Sequence, residues 1–184
     1  MLVQDKIRQI SKTIEKGKAL DIGCGTSPNE SIIPHTEYLR LDKNKRFHPD
    51  MVSEAHDLCV KDESLNTVVM TEILEHCHDP QRVVDETHRI LNDGGVCLCS
   101  VPFIYPLHGK PNDYFRFTEY GLNHLFRKFK TVEIHRLGNR LHCIWEFVYF
   151  RYFHLILRYF LPLIKRIHFN DETYPLHYVL LARK

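Results

Sequence analysis

Residues 19–25 read ALDIGCG, an apolar run that ends in Asp21 and is followed by two glycines, Gly23 and Gly25. A short apolar run of this kind is typical of a central strand in a parallel sheet. The glycines lack a Cβ, so the backbone can turn tightly there and approach a ligand closely. The Asp21 carboxylate can accept a hydrogen bond from an amine or a hydroxyl. The stretch therefore predicts an α/β fold with a ligand site at the end of this strand.

A second acidic residue, Asp42, ends the next strand-like run at residues 38–41. An acidic side chain about 20 residues after a glycine turn is where α/β folds bind ribose hydroxyls. The third glycine of a dinucleotide fingerprint and the G-K-[ST] of a P-loop are both missing. The pattern favours a nucleoside without a pyrophosphate.

Further motifs follow in a fixed order: LDIGCGTSP at 20–28, Asp42, EAHDLCV at 54–60, TEILEH at 71–76, RILNDGG at 89–95, VPF at 101–103 and a block from His108 to Leu122. In this order they resemble the class I S-adenosylmethionine-dependent methyltransferases, specifically the type 11 group. The resemblance covers the chain from about Lys18 to Gly138 and again at the C-terminus. The last block looks like that of a subgroup whose members often accompany glycan-assembly enzymes.

The resemblance implies a Rossmann-like fold, with a mainly parallel seven-stranded sheet and helices on both faces, and S-adenosylmethionine as cofactor. It assigns cofactor binding to Asp21, Gly23, Cys24, Gly25, Asp42, Glu54, Ala55, Asp57 and Glu72. Asp21 is expected at the methionine end, directly or through water, and Asp42 at the ribose. Glu54 matches the adenine-side acid better than Asp57 does, because Ala55 follows it; Asp57 is alternatively a loop cap.

The acceptor side is predicted in a loop rich in Pro and Gly after the fifth strand, where open α/β sheets place their ligands. The candidate catalytic residues are His108, Asp113, Tyr114 and Arg116. An imidazole can take a hydroxyl proton, and a guanidinium can grip a carboxylate or phosphate. The alternative is a structural loop in which Asp113 and Arg116 pair with each other. Glu75 and His76 are either functional or a structural pair.

His76, Cys77 and His78 are all metal-ligand types, but adjacent residues cannot easily supply three tetrahedral ligands. No second cluster stands nearby in sequence, and methyl transfer from a sulfonium needs no metal in principle. The sequence therefore predicts no metal site, and it predicts that positioning of donor and acceptor supplies most of the rate.

Apolar spacing and turn signals predict alternating helices and strands. Strands are expected at 18–22, 37–41, 51–54, 66–71, 96–101, 131–137 and 178–182, and helices at 2–16, at 80–91 behind an Asp79 cap, and at 118–129. Pro28 and Pro34 leave room for only a turn or two of helix between the first two strands. Asp93-Gly94-Gly95 is expected to turn the chain before the fifth strand.

Composition sets further bounds on the 184 residues, which are expected to form one domain. Its parts are an N-terminal helix (1–17), the cofactor-binding core (18–138), an aromatic and basic helical insertion (139–171) and the last strand (172–184). The net charge of +2 does not indicate a nucleic-acid partner. Six cysteines without a C-x-x-C pair, and a charged N-terminus without an apolar signal segment, favour a cytoplasmic protein.

Residues 141–169 are dense in aromatic side chains, with Arg151, Arg158 and Lys165 at seven-residue intervals. On a helix these cations form one basic stripe, which interrupts the roughly 20 uncharged residues that a membrane span needs. The segment is either a lid, a packing insertion or a homodimer contact, or it is an interfacial helix that docks on the inner face of the membrane.

These observations together predict O-methylation of a small-molecule, sugar or lipid-linked acceptor by in-line methyl transfer. The alternative is a non-catalytic protein of methyltransferase fold that acts as a binding partner or scaffold, peripheral to the membrane.

Overall fold

The computed structural model describes residues 2–148 and 173–184. Its helices are α1 (Leu2–Ser11), α2 (Pro80–Ile90), α3 (Glu119–Leu125) and α4 (Arg140–Val148), and short 3-10 turns cover Lys45–Phe47 and Leu74–His76. Its strands are β1 (Gly17–Ile22), β2 (His35–Asp42), β3 (Met51–Val52), β4 (Leu65–Thr71), β5 (Leu91–Pro102), β6 (Thr131–Leu137) and β7 (His177–Arg183).

The seven strands form one sheet in the order β3-β2-β1-β4-β5-β7-β6. β1 to β5 run parallel, whereas β7 is antiparallel to both of its neighbours, β5 and β6. The predicted mainly parallel α/β fold is therefore confirmed. The chain leaves β1 toward β2 on one side and later returns to β4 on the other, and ligands bind at the carboxyl ends of strands beside such a switch point.

The central strands are buried on both faces, which is why they read as apolar runs. On one face, Ala19, Val69 and Leu98 pack with Ile7 and Ile10 of α1. On the other face, a larger cluster joins the sheet to α2 and α3; it includes Leu20, Val68, Val84, Ile90 and Leu122. Each face of the sheet thus has a helix over its apolar side chains, as expected for a parallel sheet.

Several predicted boundaries are wrong. α1 ends at Ser11 instead of residue 16, and the Thr13 hydroxyl donates to the Ile10 carbonyl at 2.8 Å, a bond that competes with continued helix. Residues 23–34 form successive turns in place of a turn or two of helix. α3 ends at Leu125 instead of residue 129, and β5 begins at Leu91, before the predicted glycine turn.

Two predicted helix starts are confirmed. Asp79 caps α2 by accepting a hydrogen bond from the Arg82 amide at 3.2 Å, with Pro80 at the first helical position. Thr118 caps α3 by accepting from the Gly121 amide at 3.1 Å.

Only the beginning of the aromatic insertion falls within the described residues, where α4 covers Arg140–Val148. The predicted basic stripe of Arg151, Arg158 and Lys165 lies outside them. Among the described residues, none of the helices combines the length and apolar character that crossing a membrane requires.

Candidate active site

The chain turns sharply after β1 and binds the end of β2. The amides of Gly23 and Cys24 both donate to the Leu41 carbonyl, at 2.8 and 3.0 Å. Gly23 has a φ of +70°, and a Cβ at this position would collide with the side chain of Ile73. Gly23 therefore needs both the left-handed backbone and the missing side chain, which brings the turn against the segment that follows β4.

Asp42 stands at the end of β2 with its carboxylate fixed by two backbone amides. Gly25 donates to Oδ2 at 3.0 Å and Asn44 donates to Oδ1 at 2.8 Å. A carboxylate has about four acceptor positions, so each oxygen can still accept from a ligand hydroxyl. Gly25 thus acts here by orienting Asp42.

A cavity of about 270 Å³ lies at the carboxyl ends of β1, β2 and β4. Five of the predicted cofactor residues line it: Gly23, Asp42, Glu54, Ala55 and Glu72. The other four, Asp21, Cys24, Gly25 and Asp57, are not part of its wall. Lys43, Ser53, Ile73, His76, Gly109 and Asn112 also line it and had no cofactor assignment from the sequence.

Asp21 lies beneath the glycine turn and is fully buried. The Tyr38 hydroxyl donates to its Oδ2 at 2.8 Å, whereas Oδ1 has no hydrogen-bond partner in the part of the chain that the structure describes. Burial raises the pKa of this carboxyl to about 6, and the hydrogen bond from Tyr38 opposes the rise. An unsatisfied buried oxygen at this place is the kind of atom that a cationic ligand group can satisfy.

Cys24 and Asp57 differ from the rest of the predicted set. Cys24 is buried, and burial raises the pKa of its thiol, so it behaves as a packed apolar side chain. Asp57 is exposed and lies 3.9 Å from Arg82, as a solvated surface charge does. Glu54 is also largely exposed, 3.9 Å from Lys43, but it reaches the cavity wall.

Glu72 follows β4 directly and has a φ of +53°, an uncommon backbone conformation for a residue with a side chain. The Ser100 hydroxyl donates to its Oε1 at 2.7 Å, and His177 Nδ1 lies 3.1 Å from its Oε2. Backbone strain of this kind collects at functional sites, where neighbouring groups hold it in place. The carboxylate is thereby fixed on the cavity wall by contacts from β5 and β7.

The predicted acceptor loop is held together by its own charges. Arg116 donates to both oxygens of Asp113, at 2.6 and 2.9 Å, and also to the Pro106 carbonyl at 3.0 Å. The guanidinium holds the pKa of the Asp113 carboxyl well below its usual range. The ion pair between Asp113 and Arg116, which the sequence analysis gave as the structural alternative to a substrate site, is thus present. Tyr114 is half exposed and donates to Asn112 Oδ1 at 3.0 Å.

His108 faces a buried carboxyl that belongs to a different part of the chain. Its Nε2 lies 3.6 Å from Glu75 Oε1, and His76 Nε2 lies 3.7 Å from the same oxygen. Glu75 is fully buried, and neither of its oxygens has a hydrogen-bond partner among the described residues. Burial raises the pKa of this carboxyl to about 9. We call Glu75, His76 and His108 the acceptor-end cluster. It borders the cavity through His76.

Sequence reasoning named Glu75 and His76 as a pair and His108 as an acceptor candidate, but it did not bring the three together, and the only metal grouping it considered, His76 with Cys77 and His78, it rejected. His78 stacks on His56 with ring centroids 4.1 Å apart, and Cys77 Sγ donates to the Ile73 carbonyl at 3.3 Å. One local signal was available: Gly109 has a φ of +62°, and a Cβ there would lie 2.8 Å from His76 Cε1. The glycine after His108 lets this loop close over His76.

A family model described as a methyltransferase domain matches residues 2–142. The chain is also similar to two proteins of Methanocaldococcus jannaschii, the uncharacterized proteins MJ1252 and MJ1123, with 32% and 24% identity over 107 residues each. These matches cover 53% and 55% of this chain and 42% and 52% of the relatives, so the chain spans about half the length of these relatives.

Solved structures extend the likeness to the whole fold. The crystal structure of an S-adenosylmethionine-dependent methyltransferase from Archaeoglobus fulgidus superposes with a TM-score of 0.67 at 18% sequence identity. The match covers 100% of this chain and 93% of that chain. At this identity the likeness shows a shared fold and no more.

Proposed function

We propose that this chain, which belongs to the methyltransferase domain family, O-methylates a small-molecule, sugar or lipid-linked acceptor. S-adenosylmethionine is the cofactor expected of this family. The observation that carries the choice of a hydroxyl acceptor is the acceptor-end cluster, where two imidazole nitrogens face one point at the border of the cavity.

The residues at the other end of the cavity fit the cofactor chemically. Gly23 leaves open a cradle that a Cβ would fill against Ile73, and the Asp42 carboxylate is oriented with acceptor positions to spare. In this proposal Asp42 accepts from the ribose hydroxyls and Glu54 lies on the adenine side. In the same proposal Asp21 Oδ1, which has no hydrogen-bond partner among the described residues, accepts a hydrogen bond from the methionine amine, directly or through water.

When bound, S-adenosylmethionine supplies a methyl group that is displaced in line from sulfur as the new oxygen–carbon bond forms and the hydroxyl proton leaves. The protein contributes mainly by fixing the geometry, because proximity and orientation supply most of the rate in such a displacement. Glu72, whose carboxylate contacts Ser100 and His177, forms part of the cavity wall. The acceptor-end cluster receives the hydroxyl whose proton must leave.

The acceptor loop completes the proposed site. Asp113 and Arg116 pair and hold His108, whose amide donates to Asp113 Oδ2 at 2.9 Å. They are positioning residues in this proposal, because their polar groups are occupied by each other and by loop carbonyls. The exposed Tyr114 is free to contact the acceptor from outside the cavity.

The test is product analysis with methyl-labelled S-adenosylmethionine on a panel of sugars, phenols and lipid-linked glycans, each with a matched acceptor that lacks the hydroxyl. Label in a base-stable ether product supports the proposal, and label found only on amines, protein or nucleic acid contradicts it. Asp42→Asn should abolish labelling. Asp93→Asn, at an exposed carboxylate 3.8 Å from Lys130, should leave labelling unchanged.

A further inference from the structure

The acceptor-end cluster gathers metal-ligand atoms from two separate segments. One ligand atom each from Glu75, His76 and His108 lies within 4.8 Å of the others, and the two imidazole nitrogens lie 3.7 and 3.6 Å from Glu75 Oε1. Ligand atoms of a tetrahedral zinc ion, with bonds of about 2.0–2.2 Å, are spaced by about 3.3 Å. The two carboxylate–imidazole distances exceed that spacing by a few tenths of an ångström, and the limit of 4.8 Å for the whole set exceeds it by about 1.5 Å, so the ligands have to move closer around an ion.

In both histidines Nδ1, the ring nitrogen that faces away from Glu75, lies near a backbone carbonyl. A proton on Nδ1 leaves the lone pair of Nε2 for a metal ion. His76 Nδ1 lies 2.6 Å from the Asn112 carbonyl, which only accepts, so Nδ1 carries the proton and Nε2 keeps its lone pair. His108 Nδ1 lies 3.3 Å from the Pro106 carbonyl and 3.5 Å from Asp113 Oδ2. An imidazole that donates its second N–H to a carbonyl or carboxylate is the usual outer arrangement of metal-bound histidine.

Arg116 is the cation nearest to this arrangement. Its Nη2 lies 3.5 Å from His108 Nδ1 but makes shorter bonds to Asp113 Oδ2 and to the Pro106 carbonyl, at 2.9 and 3.0 Å. The two bonds to oxygen are the shorter ones, which favours the tautomer of His108 that keeps its proton on Nδ1.

Three groups that can serve as metal ligands then converge on one point, and no hydrogen bond joins them among the described residues. The Glu75 side chain is fully buried, and neither of its oxygens has a hydrogen-bond partner. The two Nε2 lone pairs face the same carboxyl. A buried carboxyl without a partner is costly, and a cation at the centre satisfies all three groups at once.

We infer that Glu75, His76 and His108 bind one divalent transition-metal ion, of which Zn²⁺ is the simplest occupant. Two imidazoles and one carboxylate are the donor set of catalytic zinc sites that keep a fourth position open. Mg²⁺ and Ca²⁺ prefer oxygen ligands alone, so the imidazoles argue against them.

The role of the ion in activating the acceptor's hydroxyl group rests on the proposed function. The open position takes the acceptor's hydroxyl oxygen, which loses its proton to solvent water before the methyl group arrives. Bound zinc lowers the pKa of its water to about 7, and it acts in the same direction on an alcohol. His108 is then a metal ligand and no longer the group that takes the proton.

The test is a calorimetric titration of Zn²⁺ into chelator-treated protein, followed by the absorption spectrum of the Co²⁺-substituted form. We expect one site per chain, with tetrahedral cobalt bands and without a thiolate charge-transfer band. Glu75→Gln and His108→Gln should each weaken binding by more than about 100-fold, because each removes a ligand, and Asp113→Asn, which removes only a partner behind His108, should weaken it by about 10–100-fold. His124→Gln, at an exposed histidine in α3, should bind as the wild type does.

Absence of one-site Zn²⁺ binding by the wild type overturns the inference, as does wild-type affinity in both ligand variants. If Glu75→Gln does not fold, His108→Gln decides, since its side chain is 33% exposed in a loop. Failure of the proposed function gives a different result, in which Zn²⁺ binds as expected but no hydroxyl acceptor is labelled. If metal-free enzyme still labels the acceptor at the full rate, the ion plays no part in the reaction. His108 is then the group that takes the hydroxyl proton, and the proposed role of the ion is contradicted.

Discussion

The part of the cavity wall formed by Gly23 and Asp42, which we call the cofactor end, and the acceptor-end cluster that borders the cavity are built in different ways. At the cofactor end, Gly23 and Asp42 are fixed by backbone amides and carbonyls that lie close by at the ends of adjacent strands. At the acceptor end, Glu75 and His76 meet His108 from a distant loop, and side chains make most of the contacts. A site built from backbone turns can be read from one local motif, whereas contacts between side chains of two separate motifs cannot.

The largest effect should come from the glycine turn. Gly23→Ala forces a left-handed backbone on alanine and drives its Cβ into Ile73, so we expect a loss of about 2–4 kcal/mol in the free energy of unfolding. Urea unfolding measures the loss. Gly121→Ala is the matched control, because its Cβ meets only Thr118 Oγ1 at 3.5 Å. Equal stability of the two variants would mean that the turn does not constrain the cofactor end.

A smaller loss is expected from the ion pair of the acceptor loop. Asp113→Asn removes the charge that binds Arg116 through both nitrogens, so we expect the protein to lose about 2 kcal/mol of stability. Cofactor affinity should stay within about twofold of wild type, because this pair lies outside the cofactor end. Urea unfolding and calorimetry on the same preparation measure the two effects. A large drop in cofactor affinity would show that the two ends are coupled.

The pH dependence of cofactor binding probes Asp21. Its pKa is raised to about 6, so the carboxyl is ionised above that pH and protonated below it. An ionised carboxylate attracts the cofactor's amine, so affinity should be flat above about pH 6 and fall by up to about tenfold per pH unit below it. Asp21→Asn should flatten the low-pH limb of the titration. A decline that persists in this variant would assign the titrating group elsewhere.

The smallest effect is expected at the rim of the cofactor end. Glu54 is largely exposed and its contact with Lys43 is long, at 3.9 Å, so water screens its charge. Glu54→Gln should weaken cofactor binding by less than about threefold by calorimetry. A loss as large as that of Asp42→Asn would mean that Glu54 is a principal contact.

The structure brings several of the predicted cofactor residues to one cavity because local chain geometry places them there, and their contact with the cofactor stays a prediction. The glycine turn after an apolar strand, the acid that ends the next strand, and the Glu54-Ala55 pair all lie on the cavity wall. Asp21 is the exception: it belongs to the same motif but lies buried beneath the turn.

The acceptor end could not be predicted in the same way, because its partners depend on tertiary packing. Nothing in the spacing of Glu75 and His108 indicates that their side chains meet. For Asp113 and Arg116 the sequence left a substrate clamp and a structural pair open, and only the fold shows them bonded. The early end of α1 has a local cause, the Thr13 hydroxyl, that hydrophobic periodicity does not register.

The most direct test of the central claim is calorimetric titration with S-adenosylmethionine of the wild type, Asp42→Asn and His108→Gln. We predict binding by the wild type, a loss of at least about tenfold in affinity for Asp42→Asn, and unchanged affinity for His108→Gln. That result would place the methyl donor at the turn after β1 and leave the acceptor-end cluster for the acceptor. Absence of binding by the wild type, or an equal loss in both variants, would contradict the division of the cavity into two sites.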